Sequence, residues 1–155
     1  MSRRDYSFRG AWHVDAPPER VADVLVDLEH YPTWWPEVRA IAKLGPDDAL
    51  VVCRSTLPYD LELRLHAVQR EVPRLETAIS GDLDGTVRWV CEPDGTGTHL
   101  RFEQDVRVRA GLLALASYVA RPVLVWNHDR MVDSGVSGLR RTLRGPTRAP
   151  AGPGR

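Results

Sequence analysis

At 155 residues the chain has the length of one domain, enough for a single hydrophobic core of useful size. Its 21 basic and 21 acidic residues cancel, so no basic face is announced and bulk charge gives no support to nucleic-acid binding. Hydrophobic content of 43% beside 27% charged residues of mixed sign excludes a disordered chain. Cys53 and Cys91 match no zinc or redox spacing, which predicts two reduced thiols in a cytosolic protein. The start, "MSRRDYSFRG", has no apolar signal-peptide region, and "GLLALASYVARPVLVW" is too short and too interrupted to span a bilayer. The Pro/Gly-rich end, "GPTRAPAGPGR", predicts a disordered tail over 145–155 behind a domain of residues 1–144.

The first element, "YSFRGAWHV", alternates so that Tyr6, Phe8, Gly10, Trp12 and Val14 share one face of a strand. In "DAPPERVADVLVDL", Asp15 is a candidate cap and the prolines fit a first helical turn. Val21, Val24, Leu25 and Leu28 then fall at helical spacing. The helix is expected to stop before "YP", because the residue preceding a proline avoids helical geometry. That leaves the double tryptophan of "EHYPTWWPEV" in the connection to the next strand. "VRAIAKL" and "ALVVCRSTL" follow as strands around the turn "GPDD". "YDLELRLHAV" places Tyr59, Leu61, Leu63, Leu65 and Ala67 on one side and Asp60, Glu62, Arg64 and His66 on the other. "RLETAIS" and "TVRWVCE" flank the turn "GDLDG", and "PDGTG" marks a hairpin into "THLRFEQDVRV". From about Pro122 to Leu143, Leu124, His128, Met131, Val132, Gly135, Val136, Leu139 and Leu143 form one helical stripe, with Asn127 turned well away from it.

Seven strands with one dry face need a cover, and only the terminal helix is long enough to supply it. About 22 residues at 1.5 Å each reach ~33 Å. A twisted sheet touches such a helix along a line and leaves a gap beside it, so a pocket is expected from the architecture.

"WHVDAPPERVADVLVDLEHYPTWWPEV", "LPYDLELRL", "GDLDGTVRW" and "WNHDRMVDSGVSGLRRTL" together resemble the START-like superfamily, in its polyketide cyclase/dehydrase and lipid transport branch, over residues 6–144. The resemblance implies an α+β helix-grip fold: an antiparallel sheet curled around a C-terminal helix, with a hydrophobic cavity between them. The superfamily includes aromatase/cyclases, lipid carriers and coenzyme Q-binding proteins, and the last have a similar "YP" loop. Fold is therefore a poor guide to activity.

Neighbours in an extended segment point in opposite directions, so one of Trp34 and Trp35 is expected in the core and the other at a cavity mouth. His128 lies near the centre of the apolar stripe. It is either a core histidine bonded to a carbonyl or to Tyr59, or a cavity residue that meets a ligand or relays a proton. Gln104 on an apolar strand face must also be paired, by the sheet or by a ligand. Trp89 and Met131 are further candidate contacts, as is Tyr59. Gly135 either makes room for a ligand or lets helix and sheet approach. Of Cys53 and Arg54, the pattern does not say which faces inward.

No carboxylate has inward parity, and there is no nucleophile elbow, phosphate loop, dinucleotide fingerprint or metal-ligand spacing. The expectation is a cytoplasmic binding or carrier protein for a small hydrophobic molecule of polyketide-, lipid- or aromatic-like character, without cofactor or metal. Nucleic acid and stable membrane association are not expected. "GLLALASYVA" is read as a lid or core segment, with a homodimer contact left open. An aromatase/cyclase-like enzyme with His128 or Tyr59 moving a proton is the alternative, and a quinone-binding module the third.

Overall fold

The computed structural model describes residues 4–54, 60–109 and 120–144, together with 111, 114, 116 and 118. Tyr59, the tail over 145–155 and half of "GLLALASYVA" lie outside the described residues, although Ala114 of that segment is buried in the core.

The elements in chain order are β1 (Asp5–Val14), α1 (Pro18–Val26), a 3-10 turn (Leu28–His30), α2 (Tyr31–Trp34), β2 (Val38–Lys43), β3 (Asp48–Cys53), β4 (Leu61–Glu71), β5 (Arg74–Gly81), β6 (Leu83–Asp94), β7 (Gly97–Val108) and α3 (Arg121–Arg144). The strands form one antiparallel sheet in the order β1-β7-β6-β5-β4-β3-β2. Strands β2 to β7 run as a meander, and the helical segment from α1 to α2 carries the chain from one edge strand to the other. With α3 against the dry face, this is the helix-grip arrangement.

Strand parity follows the sequence. On β7, Leu100, Phe102, Gln104, Val106 and Val108 are buried while Arg101 and Arg107 are exposed. The wet face carries cross-strand ion pairs such as Arg9–Asp105 at 3.2 Å and Arg101–Glu92 at 2.8 Å, exposed pairs that each add ~0–1 kcal/mol. Gly95, at φ 62°, and Thr96 form the two-residue turn between β6 and β7, with the glycine in the first, left-handed position.

Four local expectations change. Asp15 does not cap α1; Pro17 occupies that position, and the Asp15 carboxylate meets His13 Nε2 at 3.0 Å. The chain does not stay irregular after α1, because Tyr31 is helical (φ −51°, ψ −43°) although it precedes Pro32. Burial of the Tyr31 ring, whose hydroxyl donates to the Leu25 carbonyl, outweighs the local preference. The turn expected over "GDLDG" is confined to a corner at Asp82, since β6 already begins at Leu83. A Cβ on Gly85 would lie 1.9 Å from the Asp105 carbonyl oxygen, so only glycine lets β6 run that close to β7. Finally, Asn127, expected well off the apolar stripe, is nonetheless buried.

Candidate functional site

The inward face divides into a solid part and a hollow one. Leu100, Leu139, Val14, Val21, Val136, Thr98 and Cys91 are the largest side chains shielded almost completely from solvent, and none of them lines the hollow described next. Further along, inward-facing Ile41, Leu65, Ala67, Thr77, Val87 and Met131 are only half-buried. They line a cavity of about 260 Å³ enclosed by the inner face of β2–β7, the α1 end and α3. That is just under the ~300–1,000 Å³ range of small-molecule sites. The rim is polar: Asp27 and Glu29 from the helical turn, Lys43, Asp47 and Asp48 around the β2–β3 turn, and Arg70 from β4. Lys43 faces Glu29 at 3.8 Å, and Arg70 pairs with Asp47.

The double tryptophan closes one side. Trp34 ends α2 and Trp35 is its extended cap, so the two do not diverge as strand neighbours would. Both are buried, with ring centroids 5.6 Å apart and planes 22° from parallel. Two glycines of α3 receive them. A Cβ on Gly138 would sit 1.7 Å from the Trp34 carbonyl oxygen, and one on Gly135 would sit 2.5 Å from the Trp35 ring. Gly135 therefore makes room for Trp35 and does not line the cavity. Trp35 does line it, with its indole N–H donating to the Met131 carbonyl at 2.9 Å, whereas Trp34 does not.

Two polar side chains meet on the cavity wall. Gln104 lies opposite Phe8 on β1 and Val87 on β6, and His128 projects from α3 above it. His128 Nε2 is 2.8 Å from Gln104 Oε1, and its ring stacks on Phe8 with centroids 3.5 Å apart and planes 13° from parallel. Burial lowers the His128 pKa to about 4, so the imidazole is neutral at pH 7. A carboxamide oxygen only accepts, which puts the proton on Nε2. Among the described residues Nδ1 has no hydrogen-bond partner, and Asp129 Oδ1 is 3.8 Å away.

Of the residues singled out from sequence, the structure brings Trp35, Trp89, Gln104, His128 and Met131 to the cavity and leaves Trp34 and Gly135 behind it. Cys53 faces inward and lines the cavity, whereas Arg54 is exposed beside Asp60. Burial raises the Cys53 thiol to about 12, so it is not a ready nucleophile. Among the described residues no three His, Cys, Asp or Glu side chains converge as a metal site. Pattern reading missed Leu25, Tyr31, Val51, Leu63 and Ile79 as lining residues, although strand parity already placed Leu63 on the apolar side of its strand. The charged rim had no sequence signal, since it assembles from three separate turns and strand ends.

Residues 6–144 match the family described as polyketide cyclase/dehydrase and lipid transport. The chain belongs to that family. The chain also shares its fold with solved structures at low sequence identity. A protein from Thermus thermophilus is 19% identical with a TM-score of 0.78, covering 89% of this chain and 97% of the other. A START superfamily protein from Mycobacterium smegmatis is 16% identical with a TM-score of 0.74, covering 88% and 96%. The Zhui aromatase/cyclase from a Streptomyces species is 15% identical with a TM-score of 0.77, covering 96% and 99%. No curated protein matches the chain. Among the described residues no helix is long and apolar enough to cross a membrane.

Proposed function

We propose that the protein takes up a small, largely apolar cyclic molecule in this cavity and holds it as a carrier or sensor. The observation that carries the reading is the hollow itself: inward side chains of β2–β6 stay half-buried around about 260 Å³ while the neighbouring core is closed. Removing apolar guest surface from water there supplies ~25 cal/mol per Å² before ordering costs. Trp35 and Trp89 offer flat contact surfaces, and His128 with Gln104 offers the polar anchor.

Native mass spectrometry of freshly purified protein tests this. A retained small molecule, released intact on denaturation, supports a carrier or sensor. Empty protein that also fails to take up added flat apolar probes overturns it.

A second reading, an aromatase/cyclase-like enzyme, is favoured by the presence of two polar side chains on one cavity wall. Against it, an imidazole with a pKa of about 4 is a weak base at neutral pH, and its Nε2–H is already engaged by Gln104. Conversion of a polyketide-like probe at a rate that falls in His128→Phe would favour the enzyme. A quinone released from the purified protein would instead favour a quinone-binding role.

A further inference from the structure

We infer that the cavity selects a guest with a hydrogen-bond acceptor, a carbonyl or ether oxygen on a flat apolar frame, which Gln104 holds through its amide N–H groups while His128 fixes that amide's orientation. This deepens the reading of the hollow as a ligand site and rests on it.

Gln104 has apolar cross-strand neighbours, Phe8 and Val87, so the sheet does not satisfy its carboxamide. Its oxygen accepts from His128 Nε2–H at 2.8 Å. The amide nitrogen then keeps two N–H donors. No acceptor among the described residues takes either, and the nitrogen is not sealed inside the protein. The Trp89 indole N–H, on a residue of the same cavity, finds no acceptor among the described residues either. Unmatched donors in an apolar chamber are completed by an acceptor on the guest.

The polarity is held in place by His128. Turning the amide over would set an N–H against the imidazole N–H. The other imidazole tautomer would put a proton on buried Nδ1, where no acceptor lies within hydrogen-bond distance. Stacking on Phe8 restricts rotation of the ring. His128 is therefore a positioning residue, and Gln104 the group that touches the guest.

Three bicyclic probes of one shape separate the possibilities by calorimetry: indane with no polar group, 1-indanone with an acceptor, and indole with a donor. The wild-type protein should bind 1-indanone ~10-fold more tightly than indole, the effect of one well-made hydrogen bond against an unmatched donor. Gln104→Leu alone leaves the His128 N–H unpaired and is prone to misfold. The double variant Gln104→Leu/His128→Phe removes both polar partners, and it should bring the 1-indanone/indole ratio to ~1 while indane binds as well or better. His128→Phe alone frees the amide to turn and should shrink the ratio without abolishing indane binding. If indane binds the wild-type protein but 1-indanone has no advantage over indole, or the double variant keeps that advantage, the acceptor assignment is overturned and the cavity reading stands. If none of the three probes binds, both fall together.

Discussion

The closed and open parts of the same dry face differ in what α3 presents to them. Towards its C-terminal half the helix contributes Val136, Leu139 and Leu143, which join Val14, Val21 and Leu100 in one buried core cluster. Towards its N-terminal half it contributes His128 and Met131, while β3–β5 answer with small or short side chains, Ala49, Ala67, Cys53 and Thr77. The two tryptophans sit between these regions, seated in the notches left by Gly135 and Gly138. Stability is concentrated on one side of that seal and ligand capacity on the other, so a substitution should affect mainly the property of its own side.

The largest effect is expected in the closed part. Leu139→Ala should cost about 3–5 kcal/mol in denaturant unfolding, because a fully buried leucine leaves a cavity there, while the relative affinities for apolar probes stay unchanged. In the open part stability should depend on acid. The folded pKa of His128 is about 4 against an ordinary 6.5, so between those values the unfolded chain binds a proton that the folded chain does not. Stability should therefore fall as pH drops from about 6.5 to 4, by on the order of 3 kcal/mol in total. His128→Phe should flatten that limb in urea titrations at pH 7 and pH 5. His13, raised by Asp94 and Asp15, and His30, raised by Asp27, act with the opposite sign. Their stabilisation is present below about 6.5 and lost as pH rises, so between pH 7 and pH 5 they partly offset the His128 slope, which the difference between wild type and His128→Phe isolates.

At the seal, Gly138→Ala should cost about 2–3 kcal/mol and lower the melting temperature, since the new methyl meets backbone at Trp34 and not a movable side-chain tip. The smallest stability effect, under about 1 kcal/mol, is expected for Ala67→Leu, because the added carbons enter space that is already empty. An equal stability loss at Leu139 and Ala67 would erase the distinction between the two regions.

Much of this division was legible in the sequence. Period-two alternation in "YDLELRLHAV" and "THLRFEQDVRV" placed Leu63, Phe102 and Gln104 inside, and the helical stripe placed His128 beside them. What alternation does not encode is how far apart facing surfaces stand, so it separated neither hollow-lining Leu65 from packed Leu100 nor Gln104 with a ligand role from Gln104 with a sheet role. The Gln104–His128 bond joins residues 24 apart on different elements, and their contact follows from the register of β7 against β1 and the placement of α3. For Trp34 and Trp35 it was the expected extended geometry that failed, for a local reason. Their relative direction depends on one helical turn, Tyr31–Trp34, that the pre-proline preference argues against and that tertiary burial imposes.

The central claim, that the open part admits an apolar guest, is tested most directly by titrating indane into the wild-type protein and into Ala67→Leu by calorimetry. The account predicts saturable one-to-one binding to the wild type and at least ~10-fold weaker binding to the filled variant, with both proteins folded. Absence of saturable binding to the wild type, or equal binding to both, would contradict it.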